Sequence, residues 1–202
     1  MIRIGIDQSL SFTGVTVMDE GKNLLMQYGI THKKHTKWDK ALRENPSLGE
    51  KLKIIDYDYI EKSSGHSTFD IERIKYSNLI KLSFTIQKNI FNPVWNNLDH
   101  DITVYMEGIS FGSRQTTAIA ELSALNYLIR ERICELSGDF VIVPPSQVKK
   151  NFTGNGVADK GLMMETYFQL EPWARDVSKY IKMDDIADSY AMACFDEDGL
   201  EN

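Results

Sequence analysis

The first thirty residues constrain the fold most. Ile2 to Ile6, Gly14 to Met18 and Leu24 to Ile30 are three short apolar runs of strand-like composition, joined by links of at most seven residues. Parallel neighbours need a crossover of about a dozen residues or more, so these runs read as an antiparallel meander. The cluster Asp19-Glu20-Gly21-Lys22-Asn23 is the turn between the second and third runs. Residues 31–70 are polar, charged and weakly periodic, and read as a long loop with one short helix. Beyond them the period becomes helical. Apolar residues at Ile71, Ile74, Leu79, Leu82, Ile86 and Ile90 predict a helix over 71–90. Ile102 to Met106 is a strand that ends on Glu107-Gly108. Ser113 to Leu136 is a long helix with the stripe Ala118, Leu122, Leu125, Ile129, Ile133 and Leu136, stopped by Gly138. Phe140 to Val143 is a further strand, closed by Pro144-Pro145, and Ser146 reads as an N-cap. A helix over 159–170 should end at Pro172, and a last helix should run from Asp184 to about Phe195. This order predicts an α/β fold with a mixed five-stranded sheet and helices on both faces.

The chain has 202 residues, enough for one domain with a substantial core. No run approaches the roughly 20 apolar residues that span a bilayer. Asp7 falls where the apolar segment of a signal peptide should continue, so a cytoplasmic protein is expected. Cys134 and Cys194 provide neither a disulfide framework nor a CxxC zinc site. His32 and His35 lack a Cys or carboxylate at zinc-ligand spacing and read as part of a solvated basic loop. The formal charge of −6 argues weakly against a nucleic-acid partner, but it is unevenly spread. From Asp184 onward there are seven acids and no Lys or Arg, which leaves residues 1–183 at +1. Residues 31–53 carry seven Lys or Arg against three acids, a local excess of four. Phosphate contact needs a local basic surface, not a basic average.

Four acids stand at informative places. Asp7 ends the first strand, Glu107 ends the strand after the first long helix, and Asp185 and Asp188 lie three apart on the final helix, beside Asp184. Strand ends in mixed sheets open onto a shared edge where ligands sit, and residues three apart share a helix face. Carboxylates that converge on such an edge repel one another and raise their pKa values. A hard divalent cation with oxygen ligands, Mg²⁺ or Mn²⁺, removes that cost, and two such ions can activate water against a phosphodiester.

The motifs around these acids carry a resemblance. Ile4-Gly5-Ile6-Asp7-Gln8-Ser9-Leu10-Ser11-Phe12-Thr13-Gly14 resembles the first motif of the RuvC family of Holliday junction resolvases, and its Ser9-Leu10 variant looks especially like phage-encoded members. Val104-Tyr105-Met106-Glu107 is similar to the second motif. Pro145-Ser146-Gln147-Val148-Lys149 with Gly154-Asn155-Gly156-Val157-Ala158-Asp159-Lys160 resembles the family's basic segment, and Asp185-Ile186-Ala187-Asp188 the final Asp-x-x-Asp. The resemblance runs in order from residue 2 to about 195 and implies a single RNase H-like nuclease domain, with a long insertion at about 31–100. It implies a structure-specific endodeoxyribonuclease that cuts Holliday junctions or other branched DNA in recombination, repair or replication. Asp7, Glu107, Asp185 and Asp188 would be the metal-binding catalytic acids, with two Mg²⁺ or Mn²⁺ ions. Lys149 and Lys160 would lie on the DNA backbone, where Gly154 and Gly156 would let main chain approach a strand closely. Phe111 and Arg114, just past the second motif, would also touch DNA, Phe111 in place of an aromatic wedge. A homodimer is implied, formed through the helix after the second motif, whose second face carries Ala120, Ala124, Tyr127 and Cys134. A phage-encoded member would work in the host cytoplasm.

The chain departs from the family at Gln8-Ser9, where Pro-Gly is usual, and in the length of the stretch before Glu107. Three other readings share parts of the pattern: a flap or fork nuclease, an actin-like nucleotide-binding protein, and an inactive DNA-binding module of the same fold. The actin-like fold needs a second copy of the first motif, which the chain lacks, and an inactive module has no use for four convergent acids.

Overall fold

The computed structural model describes residues 1–97, 101–108 and 116–197. β1 (Ile2–Asp7), β2 (Phe12–Asp19) and β3 (Leu24–Thr31) form the expected antiparallel meander, with Asp7 opposite Gly14. The segment expected as a loop with one short helix holds that helix, α1 (Thr36–Glu44), then a 3₁₀ turn (Pro46–Glu50) and a strand, β4 (Leu52–Asp56), parallel to β3. The sheet therefore has six strands, not five, in the order β4-β3-β2-β1-β5-β6. The sequence hides β4 because Lys51-Leu52-Lys53-Ile54-Ile55-Asp56 sets three apolar residues among charges. It is an edge strand, where flanking charges are tolerated. His32 and His35 are half-buried rather than solvated: His32 stacks on Tyr59 at 4.1 Å and His35 stands edge-on to Phe12 at 5.7 Å.

α2 (Thr68–Ile86) begins earlier than its apolar period indicates, because Ser67 and Asp70 form a capping box. It passes through a π turn (Gln87–Phe91) into α3 (Asn92–Asn97). β5 (Ile102–Glu107) and β6 (Asp139–Val143) extend the sheet in parallel on the other side of β1. α4 (Thr116–Glu135) joins them, and its expected start at Ser113 lies outside the described residues. α5 (Pro145–Thr153) is entered from Pro144, not capped by Ser146, since Pro145 is preset for the first helical position. Gly154 ends it at φ +77°, so its glycine serves helix termination. α6 (Lys160–Leu170) is capped by Asp159, which accepts from the Leu162 N–H at 2.9 Å. Pro172 opens α7 (Pro172–Val177) as well as following α6. α8 (Asp184–Ala193) lies within its expected limits. Among the described residues no helix is long and apolar enough to cross a membrane.

Strand alternation sorts the side chains between two faces. Ile2, Ile4 and Ile6 of β1, with Val104 and Met106 of β5, pack under Leu79, Leu82 and Ile86 of α2 and Leu125, Ile129 and Ile133 of α4. Ala120, Tyr127 and Cys134 of α4 are exposed, whereas Ala124 packs against this core and is only half open. Arg3, Gly5 and Asp7 alternate with the isoleucines and take α8 on the opposite face. A Cβ on Gly5 would sit on the Ser189 carbonyl oxygen, and one on Gly14 on the Asp185 carbonyl oxygen, so α8 rests backbone to backbone on β1 and β2. A buried polar seam fixes it there. Thr16 Oγ1 and Ser189 Oγ share a hydrogen bond of 2.8 Å, Gln27 Nε2 donates to Thr16 Oγ1 at 3.1 Å, and the Tyr167 hydroxyl donates to Gln27 Oε1 at 2.7 Å. At the far end of α8, buried Arg3 donates to the carbonyls of Ala193 and Phe195 and lies over the Tyr105 ring at 4.5 Å, satisfying carbonyls that a helix end leaves free.

The close seat of α8 should be visible in stability. Gly5→Ala or Gly14→Ala should cost about 1–3 kcal/mol, as overpacking does. Gly65→Ala, where an added Cβ meets nothing within 4 Å, should not. Urea unfolding of the three variants checks this, and equal midpoints would contradict the backbone contact.

Candidate active site

Asp7 and Glu107 are brought together by strand pairing. β1 and β5 are parallel neighbours with Ile6 beside Met106, so the next residue on each strand, Asp7 and Glu107, reaches the same edge of the sheet. Both belong to the alternation that faces α8. That helix runs antiparallel to β1, with Ala193 against Arg3 and Asp185 over Gly14, the partner of Asp7. Its first turns thus set Asp185 and Asp188 at the edge that carries Asp7. β3 runs parallel to β1, so Lys33 and Lys34, both exposed, follow it at this edge too.

The loop after Asp7 is closed by Thr13, whose hydroxyl donates to the Ser9 carbonyl at 2.7 Å and accepts from the Ser9 N–H at 3.2 Å. Gln8 Nε2 donates to the Glu107 carbonyl at 3.3 Å and Asn126 Nδ2 to the same oxygen at 3.4 Å. The two amides hold the end of β5 against β1 and α4. No sequence cue marks Asn126, which sits within a helix whose stripe reads as apolar.

The acids act on one another. Burial pushes the Asp7 carboxyl well above the ordinary carboxylate range, and Asp188, Asp185 and Glu107 push it the same way, with Lys160 opposing. Burial also raises Glu107, aided by Asp188 and opposed by Lys149. It raises Asp185 and Asp188 against the pull of Lys160 and Lys182. Glu107, Lys149 and Asp188 line a cavity of about 60 Å³ floored by Val148, Met163 and Met192. Among the described residues no three Asp, Glu, His or Cys side chains already stand as a finished ion cage; the four acids share an edge.

Asp7, Glu107, Asp185 and Asp188 therefore share one sheet edge, with Lys149 and Lys160 near enough to draw down their carboxyls. Phe111 and Arg114 lie outside the described residues. Lys182 was not anticipated. It stands just before α8 and its Nζ lies 2.6 Å from Asp184 Oδ2, a contact that nothing in the local pattern announces.

A carboxyl whose pKa is raised by folding stays protonated after the unfolded chain has lost its proton. It therefore weakens the fold as pH rises from near 4 through its folded pKa, and the loss persists above. In metal-free buffer Asp7→Asn should accordingly melt higher than the wild type at pH 7.5, by about 2–4 °C for each ~1 kcal/mol of relieved repulsion. The gain should shrink towards pH 4. Thermal melts across this range check it, and a pH-independent difference would contradict it.

No family model and no curated protein matches the sequence. Solved structures do. The chain is similar to the Thermus thermophilus RuvC structure, at 16% identity and a TM-score of 0.52 over 96% of this chain and 92% of that one. It is similar also to T. thermophilus RuvC in complex with Holliday junction substrate, at 13% identity and a TM-score of 0.55 over 96% and 90%. The mixed sheet with helices on both faces thus has the RNase H-like fold of RuvC, with a slightly different strand count.

Proposed function

We propose that this chain is a divalent-metal-dependent endonuclease that cleaves branched DNA, four-way junctions above all, as a RuvC-like resolvase. The observation that carries the reading is the convergence of Asp7, Glu107, Asp185 and Asp188 on one sheet edge, where each carboxyl is held above its ordinary range by burial. The donor set fits the metal. It is all carboxylate oxygen, with no thiolate or imidazole, which suits Mg²⁺ or Mn²⁺. Bound between these acids, two such ions would activate water and stabilise the leaving oxygen of a phosphodiester. Asp7 and Glu107, on adjacent strands, supply a rigid half of the ligand set, and Asp185 and Asp188 supply the other half from α8. Lys149 beside Glu107 and Asp188, and Lys160 beside Asp7, Asp185 and Asp188, offer ammonium groups to the phosphates of the strand. Lys33 and Lys34 carry the basic surface along the same edge. The fold neighbour bound to a Holliday junction substrate supports the choice of DNA.

A four-way junction presents two equivalent strands, so the active form is a two-fold homodimer. Ala120, Tyr127 and Cys134 give α4 an open face for it. The chain acts as a single nuclease domain, in which the stretch expected as an insertion at about 31–100 supplies β4 to the sheet and α2 to the core.

In a cleavage panel of junction, flap, fork and linear duplex with Mg²⁺ or Mn²⁺, the wild type should prefer the junction. Asp7→Asn and Glu107→Gln should lose more than about 100-fold of cleavage, beyond what the loss of an outer partner of a metal ligand costs. Junction binding, which rests on the lysines, should stay nearly intact. Retained cleavage in either variant would remove its acid from the site. Light scattering that found a monomer both free and on a junction would overturn the dimer and favour a flap or fork nuclease with one active site.

A further inference from the structure

Asp184 stands apart from the other acids of this edge. It is the most buried of them, only 4% exposed, while Asp185 and Asp188 are half open. Two ammonium groups converge on its Oδ2: Lys182 Nζ at 2.6 Å and Lys160 Nζ in closer contact. The lysines come from different elements, Lys160 from the first turn of α6 and Lys182 from the link into α8. Their side chains are otherwise 64% and 70% exposed. A carboxylate so buried is costly unless cations stay with it, so the carboxylate and the lysines hold one another. The contacts are ion pairs without hydrogen-bond alignment, and Oδ1 has no donor among the described residues. One carboxylate with two ammonium groups leaves a net positive charge. Each ammonium has three donors, so donors remain for another anion. That charge stands beside the acids, since both lysines draw down the Asp185 and Asp188 carboxyls and Lys160 draws down Asp7.

We infer that Asp184 is a positioning residue and not a metal ligand: it gathers Lys160 and Lys182 into a two-ammonium site whose ligand is a backbone phosphate of the bound DNA strand, next to the bond that is cut. The identity of the ligand rests on the nuclease reading; the tether does not. Oδ2 is taken up by ammonium groups, whereas the acids that press on Asp7 are Asp188, Asp185 and Glu107.

Asp184→Asn removes the charge and keeps the shape. In the free protein, acetylation rates read by mass spectrometry should rise at Lys160 and Lys182 but not at Lys51; unchanged rates would overturn the tether. In cleavage assays Asp184→Asn should raise the KM for junction DNA, roughly tenfold for a lost charged contact. The salt dependence of binding should become shallower, by about one for each ammonium group that drifts away. The Mg²⁺ concentration for half-maximal rate should stay put, while Asp185→Asn raises it. A higher Mg²⁺ requirement in Asp184→Asn would make Asp184 a ligand and end the proposal. In a Lys160→Ala/Lys182→Ala background, Asp184→Asn should add no further rise in KM, and an additive effect would end it equally. If Asp184→Asn does not fold, Lys182→Ala, which leaves the carboxylate paired with Lys160, should still flatten the salt dependence by about one; no change would remove the phosphate site. A wild type that cleaves no DNA would sink the nuclease reading and with it the phosphate beside a cut bond, while the acetylation rates, read without cleavage, would still decide the tether.

Discussion

The backbone seat of α8 on Gly5 and Gly14 is the contact on which the rest of this molecule depends. A helix held off a sheet by side chains can slide and roll by the width of a methyl group. Here the carbonyls of Asp185 and Ser189 occupy the space where two Cβ atoms would be, so the axis of the helix is fixed by main chain. The positions of Asp185 and Asp188 relative to Asp7 follow from that, because Gly14 is the strand partner of Asp7. The contact has strong support on every side. Ile186, Ala187, Tyr190 and Ala193 bury an apolar face, the Ser189–Thr16–Gln27–Tyr167 seam ties the helix to β2, β3 and α6, and Arg3 secures its far end.

That support has something to oppose. Four carboxylates drawn to one edge destabilise the arrangement that unites them, and burial strengthens the repulsion. The chain answers with lysines on three different segments. Lys149 comes from α5 and works on Glu107 and Asp188, Lys160 from α6 works on Asp7, Asp185 and Asp188, and Lys182 works on Asp185 and Asp188. None of them cancels the burial, which leads the causes for all four acids. The edge therefore keeps an unmet demand for positive charge at its centre and a ring of ammonium groups at its rim. Under the proposed function, a hard cation inside and a polyanion outside would satisfy the two parts separately.

Much of this was legible in the sequence, and for physical reasons. Strands of period two and links too short for a crossover fix the meander, and an acid at the end of a strand is visible as a polar residue closing an apolar run. Asp7 and Glu107 were readable in this way, and Asp185 and Asp188 from their spacing of three. What escaped notice lacks a local signature. β4 is too short and too charged to show a period. Lys182 and Asp184 meet through the turn into α8, and Asn126 reaches the Glu107 carbonyl from a helix whose stripe looks apolar. Gly5 and Gly14 were legible as motif residues, but their reason, the approach of a helix from the other end of the chain, is purely tertiary. The identities of 16% and 13% to RuvC point the same way: what the folds share is where the main chain passes.

The net charge is the clearest case of a global number that misleads. The chain carries −6, and the seven acids from Asp184 onward account for more than all of it. Those acids are not a diffuse repulsive tail. Asp184 is paired with Lys160 and Lys182, Asp185 and Asp188 stand at the edge with Asp7, Asp196 meets Lys22 at 2.6 Å, and Glu197 accepts from the Tyr105 hydroxyl at 2.9 Å. Asp198 and Glu201 lie outside the described residues. Each described acid of the stretch thus has a cation, a donor or the shared edge beside it, and within about a Debye length such local pairing outweighs the net charge. Lys33, Lys34, Lys160 and Lys182 are exposed at this edge while Asp7, Glu107, Asp185 and Asp188 are half-buried, so a chain of net negative charge can still carry a basic rim there.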